Sequence, residues 1–320
     1  LKLYADNPEI VVPDFRLKEI ANSIEKGPED FSISRLKKKL PWGVDVPNDP
    51  EHVMYVWFDA LVNYVSTLGW PENTEQFEHF WGTQEHPRAV QIAGKDNLRQ
   101  QSAMWQAMLL SAGLPPSRHI LIHGFITSGG QKMSKSVGNV IDPTDIITTY
   151  GADALRYWLL REMSPFEDGD FTVEKFKESY NARLANGVGN FVARVATLGA
   201  QIGEITQDTK PDALVNEKIA EIKKQVNEKT ESYLFHEAVG AIEELISFGD
   251  RYVNEKKPWT IADEKEKRNV VVGALLIMEA LGTLLAPFLP HTAEKIQTIF
   301  VVEGNAVKIH KPEILFPRKE

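Results

Sequence analysis

The chain has 320 residues, 42% of them hydrophobic, enough apolar material for more than one domain. Its 36 Lys and Arg stand against 45 Asp and Glu, and the net charge of −9 argues against non-specific nucleic-acid binding while leaving room for a local basic stripe. There is no Cys, which excludes disulfides and thiolate metal sites; the eight His form no His-Glu-X-X-His pattern, so no metal site is expected.

Residues 1–50 are broken up by Pro8, Pro13, Pro28, Pro41, Pro47 and Pro50 and read as turns and charged segments. The chain opens at Leu1 without an initiator Met, and charge and prolines interrupt any apolar run resembling a signal peptide over 1–30. Short β-rich runs follow at 53–58, 89–93 and 120–123, separated by helical patterns at 59–68 and 97–112. That alternation predicts a parallel α/β sheet, with Gly94 and Gly124 just after strands, where such sheets build sites. Beyond about residue 171 the pattern becomes helical. Leu214, Ile219, Ile222 and Val226, then Leu234, Ala238, Ile242, Leu245 and Ile246, recur at helical spacing and predict an antiparallel bundle to about residue 300. The longest apolar stretch, 270–290, is interrupted by Glu279, Pro287 and Pro290; it reads as a buried helix ending at Pro287 rather than a membrane span, and a cytoplasmic protein is expected.

Four groups of residues carry chemistry. Lys132-Met133-Ser134-Lys135-Ser136 follows Ser128-Gly129-Gly130 and precedes Gly138, so it can flex. Two lysines with hydroxyls between them make a mobile clamp for a polyanion, able to meet charge developing on phosphate oxygens and to exclude water on closing. Trp57 and Tyr64 stand seven apart in a segment running from strand to helix, suited to an apolar, flexible ligand such as one carrying a thioether. Gly94-Lys95-Asp96 offers close backbone approach and a carboxylate for ribose hydroxyls. Asn186, Asn190 and Arg194, spaced by four, form one helical stripe able to read base edges, and Trp259 after Lys256-Lys257-Pro258 supplies a stacking face.

These strings resemble class I aminoacyl-tRNA synthetases of the methionine type over nearly the whole chain. Lys132–Ser136 matches the second class I signature, 55–64 (YVWFDALVNY) resembles the methionine-pocket segment, and "NGVGNFVAR" with "NEKKPW" resembles the paired anticodon-reading segments. The resemblance implies the second half of a Rossmann-type parallel sheet followed by an all-α anticodon-binding bundle. The implied divisions are 1–125 (catalytic sheet), 126–170 (signature loop and linking region) and 171–320 (anticodon-binding domain). It further implies that Lys132 and Lys135 act in catalysis, Lys135 on the departing pyrophosphate. Asp45, Gly94, Asp96, Lys132, Ser134 and Lys135 would bind ATP, with Mg2+. Trp57, Tyr64 and Gln101 would bind methionine, and Asn190, Arg194 and Trp259, supported by Asn186 and Asn254, the anticodon of the methionine tRNA.

There is one departure: where the family usually has a Phe-His pair, this chain has Gln100-Gln101, which can hydrogen-bond but cannot titrate. The first class I signature, a His-X-Gly-His-type loop, does not occur, nor does the family's inserted domain. The expectation is therefore a truncated or split enzyme that needs a complementary N-terminal half for amino-acid activation. The competing expectations are a non-catalytic tRNA-binding module, a class I synthetase for another amino acid, and a nucleotide-binding structural protein.

Overall fold

Three short parallel strands, β1 (Val11–Val12), β5 (Val90–Gly94) and β6 (His119–His123), form a sheet in the order β1-β6-β5, with Val11 opposite Ile120 and Ile92 opposite Leu121. In the computed structural model residues 1–27, 32–134, 136, 138–205, 211–303, 306–311 and 313–319 are described. Two units divide the chain, Leu1–Phe125 and Ile126–Glu320.

In the first unit the parallel sheet packs Ile10, Val11, Ile120 and Ile122 against Ile20 of α2 (Asp14–Glu25), which follows the short α1 (Lys2–Asp6). Both helices and β1 fall where turns were expected from the prolines. Leu17, Ile20, Ala21 and Ile24 recur at helical spacing within α2, and Pro13 serves only as its N-cap. A separate antiparallel sheet in the order β2-β4-β3 joins Ser34–Leu36, Asp49–Met54 and Asp45–Val46. The strand expected over 53–58 ends at Met54: the chain turns at Tyr55 and enters α3 (Val56–Ala60), then α4 (Asn63–Ser66), so Trp57 is helical. These helices and α5 (Thr74–Phe80) pack Leu61, Val65, Phe77 and Trp81 against Trp105 and Leu109. The helix expected over 97–112 begins as a 3₁₀ turn, Lys95–Asn97. It continues as π-helix over Arg99–Trp105, and only α6 (Gln106–Ser111) is α-helical.

The second unit opens with a small sheet, β8-β7-β9, of Gln131–Lys132, Ile126–Ser128 and Gly169–Asp170. Then come α7 (Pro143–Tyr150), α8 (Ala152–Arg161), α9 (Val173–Ser179), α10 (Asn190–Ile202), α11 (Ala213–Glu231), α12 (Phe235–Lys256), α13 (Glu264–Leu284) and α14 (Pro290–Gln297). Asp142, Asp212 and Asp263 accept backbone N–H bonds at the starts of α7, α11 and α13, fixing where those helices begin. One hydrophobic core runs through this unit from Ile146 to Phe316. Small residues bring its helices close: a Cβ on Gly249 of α12 would lie 2.6 Å from the Phe191 ring of α10. Leu214, expected on the buried stripe, is exposed, and Val215 is buried in its place; Ile219, Ile222 and Val226 are buried as expected. The chain adds a hairpin the helical pattern did not foretell, β10 (Phe300–Glu303) with β11 (Ala306–Ile309). Among the described residues no helix is long and apolar enough to cross a membrane; the apolar stretch expected to be a buried helix ending at Pro287 lies largely in α13, inside the core, and that helix ends at Leu284.

Candidate functional site

The first unit places Gly94 and Asp96 at the C-terminal end of a parallel strand, where open α/β sheets bind ligands. Gly94 is the last residue of β5, and a Cβ there would stand 2.8 Å from an Asp96 carboxylate oxygen and 3.7 Å from the His123 ring at the end of β6. Glycine is thus what lets the Asp96 carboxylate fold back beside the strand end, and Asp96 remains exposed. Asp45 lies apart from this turn in the sequence of elements, on β3 of the antiparallel sheet, where it is exposed and ion-paired with Lys37 at 2.7 Å.

Trp57 and Tyr64 share one neighbourhood. Trp57 packs half-buried on the cluster containing Trp105, and the Tyr64 ring centre lies 5.9 Å from that of Trp105. The Tyr64 oxygen accepts a hydrogen bond from Gln101 Nε2 at 3.1 Å, and Gln101 Oε1 accepts from Gln91 Nε2 at 3.1 Å. Gln101 is only 3% exposed, so its amide needs these partners. Gln91, Gln106 and Ser117, buried with it, escaped the sequence reading. A glutamine inside the apolar run 89–93 was the available signal.

The lysine loop begins on a two-residue turn. Gly129 and Gly130, both at positive φ, join β7 to β8, and the Gly130 N–H donates to Asp170 Oδ1 at 2.7 Å. That bond, with Lys175 at 3.0 Å and Thr127, holds the Asp170 carboxyl below the usual carboxylate range. Lys132 lies exposed on β8. Met133 packs toward the core, lining an apolar hollow of about 170 Å³ with Ile126, Ile141, Ile146 and Phe171. Asn139 spans the loop, accepting from Ser134 N at 2.9 Å and donating to the Lys132 carbonyl at 3.3 Å. The Ser134 and Ser136 hydroxyls are 3.1 Å apart. Lys135 lies outside the described residues. Asn139 and Asp170 were not anticipated, because neither belongs to the signature string itself.

Farther along the second unit, Arg194 NH2 donates to Asn254 Oδ1 at 2.6 Å. Its guanidinium carbon stands 5.5 Å from the centre of the Trp259 ring, and its NH1 is 3.6 Å from Asp250. Residues sixty apart in sequence thus meet across α10 and α12. Burial raises the Asp250 carboxyl above its ordinary value, against the opposing pull of Arg194. Trp259 is 55% exposed although it is large and apolar, so with Arg194 over its ring it still offers indole surface to a planar partner. Asn190, the first residue of α10, is exposed, whereas Asn186 sits in the π-helical stretch Tyr180–Gly189. The Asn186 side-chain oxygen is taken by Arg318 Nε and NH2, at 2.9 and 2.6 Å. Among the described residues no group of His, Asp and Glu is arranged to hold a metal ion.

Residues 2–196 match the family model for tRNA synthetases class I (M), and residues 212–317 match that for the anticodon-binding domain of tRNA ligase. A methionine–tRNA ligase of Thermotoga maritima is 36% identical over 97% of this chain and 49% of its own length. One from Caldanaerobacter subterraneus is 34% identical over 99% of this chain and 52% of its own. The structure of Mycobacterium tuberculosis methionyl-tRNA synthetase in complex with methionyl-adenylate superposes with a TM-score of 0.90 at 30% identity, covering 99% of this chain and 66% of that one. The chain thus spans about half the length of these curated relatives.

Proposed function

The chain belongs to the class I tRNA synthetases of the M type, and from that premise we propose that it carries part of a methionine–tRNA ligase. In that reaction a methionine carboxylate oxygen bonds to the α-phosphorus of ATP, the bond to pyrophosphate breaks, and the tRNA's terminal ribose hydroxyl then displaces AMP from the adenylate. The observation that carries the reading is the methionine-type family match over 2–196, the span that holds the lysine loop and the Trp57–Tyr64–Gln101 group.

In this reading Gly94 and Asp96 take the ribose, and Asp45 lies near the nucleotide. Lys132, Ser134 and Lys135 steady the triphosphate, which enters with Mg2+. Lysines that meet charge as it develops on the departing pyrophosphate lower the barrier by about 3 kcal/mol for a single well-placed donor. Trp57, Tyr64 and Gln101 hold methionine, their aromatic faces suiting a thioether. Arg194, Asn254 and Trp259, with Asn186 and Asn190, read the methionine anticodon, the exposed indole stacking on a splayed base. Residues 1–125 serve activation, 126–170 carry the loop and link, and 171–320 bind the anticodon. An N-terminal half bearing the first signature supplies the rest of the activation machinery, and the protein works in the cytoplasm.

ATP–pyrophosphate exchange, with each amino acid offered separately, tests the assignment. Once an N-terminal half bearing the first signature is supplied, exchange dependent on methionine alone, and sharply reduced by Lys132→Ala without loss of tRNA binding, is the expected result. Exchange driven by another amino acid overturns the methionine assignment. Anticodon-dependent tRNA binding without exchange, even after an N-terminal half is added, reduces the chain to a binding module.

A further inference from the structure

Four uncharged polar side chains sit together inside the first unit: Gln91, Gln101, Gln106 and Ser117, each 5% exposed or less. Glutamine amides can be turned end for end, so the direction of a chain of them has to be imposed from outside. Here the backbone imposes it. The Ser117 N–H can only donate, and it donates to Gln106 Oε1 at 3.0 Å. The Gln101 carbonyl can only accept, and it accepts from Gln106 Nε2 at 3.2 Å. Both ends of the Gln106 amide are therefore fixed. Its Nε2 also donates to Ser117 Oγ at 3.0 Å, and the Ser117 hydroxyl in turn donates a hydrogen bond to Gln91 Oε1. That orients Gln91 with Nε2 on Gln101 Oε1 at 3.1 Å, and so orients Gln101 with Nε2 on the Tyr64 oxygen at 3.1 Å.

The geometry points to a one-way relay: Ser117, Gln106 and Gln91 hold Gln101 so that Tyr64 must accept from it. The Tyr64 proton is thereby committed to the side away from Gln101, toward the bound amino acid. This rests on the assignment of Tyr64 to the amino-acid pocket made above, and identifies Gln91, Gln106 and Ser117 as positioning residues for it. The direction matters because a thioether sulfur is a weak acceptor. If the Gln101 amide were turned over, its Oε1 would capture the phenol proton and leave none for the ligand. Tyr64 is 37% exposed, so its outer side is accessible to a ligand while its inner side is locked. The relay contains no titrating group, and its neutral amide stands where the family usually has an imidazole.

Two variants test the relay. In Gln91→Glu the ionised side chain, read at alkaline pH so that burial does not keep it protonated, offers acceptors to both Ser117 and Gln101, which turns the Gln101 amide and reverses the relay. In Ser117→Ala the link from Gln106 to Gln91 is cut. The readout is the binding preference for methionine over norleucine, which has a methylene in place of sulfur. Both variants are expected to lose that preference by up to roughly tenfold, the scale of one hydrogen bond, with norleucine binding unchanged. Equal weakening of both ligands, or an unchanged ratio in both variants, overturns the relay. Hydrogen exchange of the Gln91 and Gln101 side-chain amides, followed by NMR in the ligand-free chain, separates this from the methionine assignment. Slow exchange that is lost in Ser117→Ala supports the relay even if the chain prefers another amino acid; fast exchange in the unsubstituted chain overturns it.

Discussion

The two units solve the problem of an interior in opposite ways. The second closes one continuous apolar core from Ile146 to Phe316, built by helices as long as Phe235–Lys256, and among its described residues the buried polar ones are Asp153 and Thr292, bonded to each other. The first divides its apolar residues between two small clusters, one on the parallel sheet and one around Trp81 and Trp105. It also buries Gln91, Gln101, Ser102, Gln106 and Ser117. Polar groups in a core add little net stability, but they set direction and fix a single arrangement. The first unit gives up apolar packing for oriented polar groups beside its candidate ligand pocket. The second supplies a firm frame whose candidate functional residues sit on its surface.

The comparison can be broken most decisively at the second unit's core. Phe191→Ala removes a fully buried ring that touches the Gly249 position and should cost about 3–5 kcal/mol. Thermal unfolding should show the loss in the transition of the second unit; a shift below about 1 kcal/mol would mean that core is not the frame described. Asp153→Ala is next. It strips a buried carboxylate from the Thr292 N–H and hydroxyl, each at 2.7 Å, and should cost about 1–3 kcal/mol in chemical denaturation. In the first unit Gly94→Ala should do the reverse. The new Cβ displaces the Asp96 carboxylate, so ATP binding should fall several-fold, while stability changes by about 1 kcal/mol or less. A stability loss as large as that of Phe191→Ala would erase the distinction between the units.

The smallest effect is at Asp170, whose carboxyl is depressed first by the Gly130 N–H and then by Lys175. A depressed carboxyl stabilises the fold above its unfolded value of about 3.9, and the contribution disappears as pH falls through the lower folded value. Asp170→Asn should therefore unfold slightly more easily than the parent chain at neutral pH, and the gap should close only in acid below about pH 3.9. A gap that persists at the acid end would assign the effect to packing instead.

The same contrast explains what could be read in advance. The bundle was legible because burial along a helix leaves a 3.6-residue trace, as at Ile219, Ile222 and Val226. The first position of each stripe slipped: Leu214 and Val215 are equally apolar neighbours and the cap at Asp212 decides which one faces inward, and Leu234 is half-buried just before α12 begins. The α/β order of the first unit was legible, but its boundaries were not. Tyr55-Val56-Trp57-Phe58 has strand composition throughout, and the turn that makes most of it helical leaves no mark in residue type. The π-helical winding over Arg99–Trp105 is too short to leave a side-chain period that can be told from an α-helix, and it buries Gln101. Gln91, Gln106 and Ser117 meet only in space. The lysine string was legible as a local motif; Asn139 and Asp170, which hold it, act through backbone groups that a sequence does not display.

The measurement that tests the account most directly is a titration of the chain with the anticodon stem-loop of a methionine tRNA and with the same stem-loop carrying a different anticodon. The account predicts a clear preference for the methionine anticodon, weakened in Trp259→Ala by about 1–3 kcal/mol, the worth of one stacked base. Equal affinity for the two stem-loops, unchanged in Trp259→Ala, would contradict it.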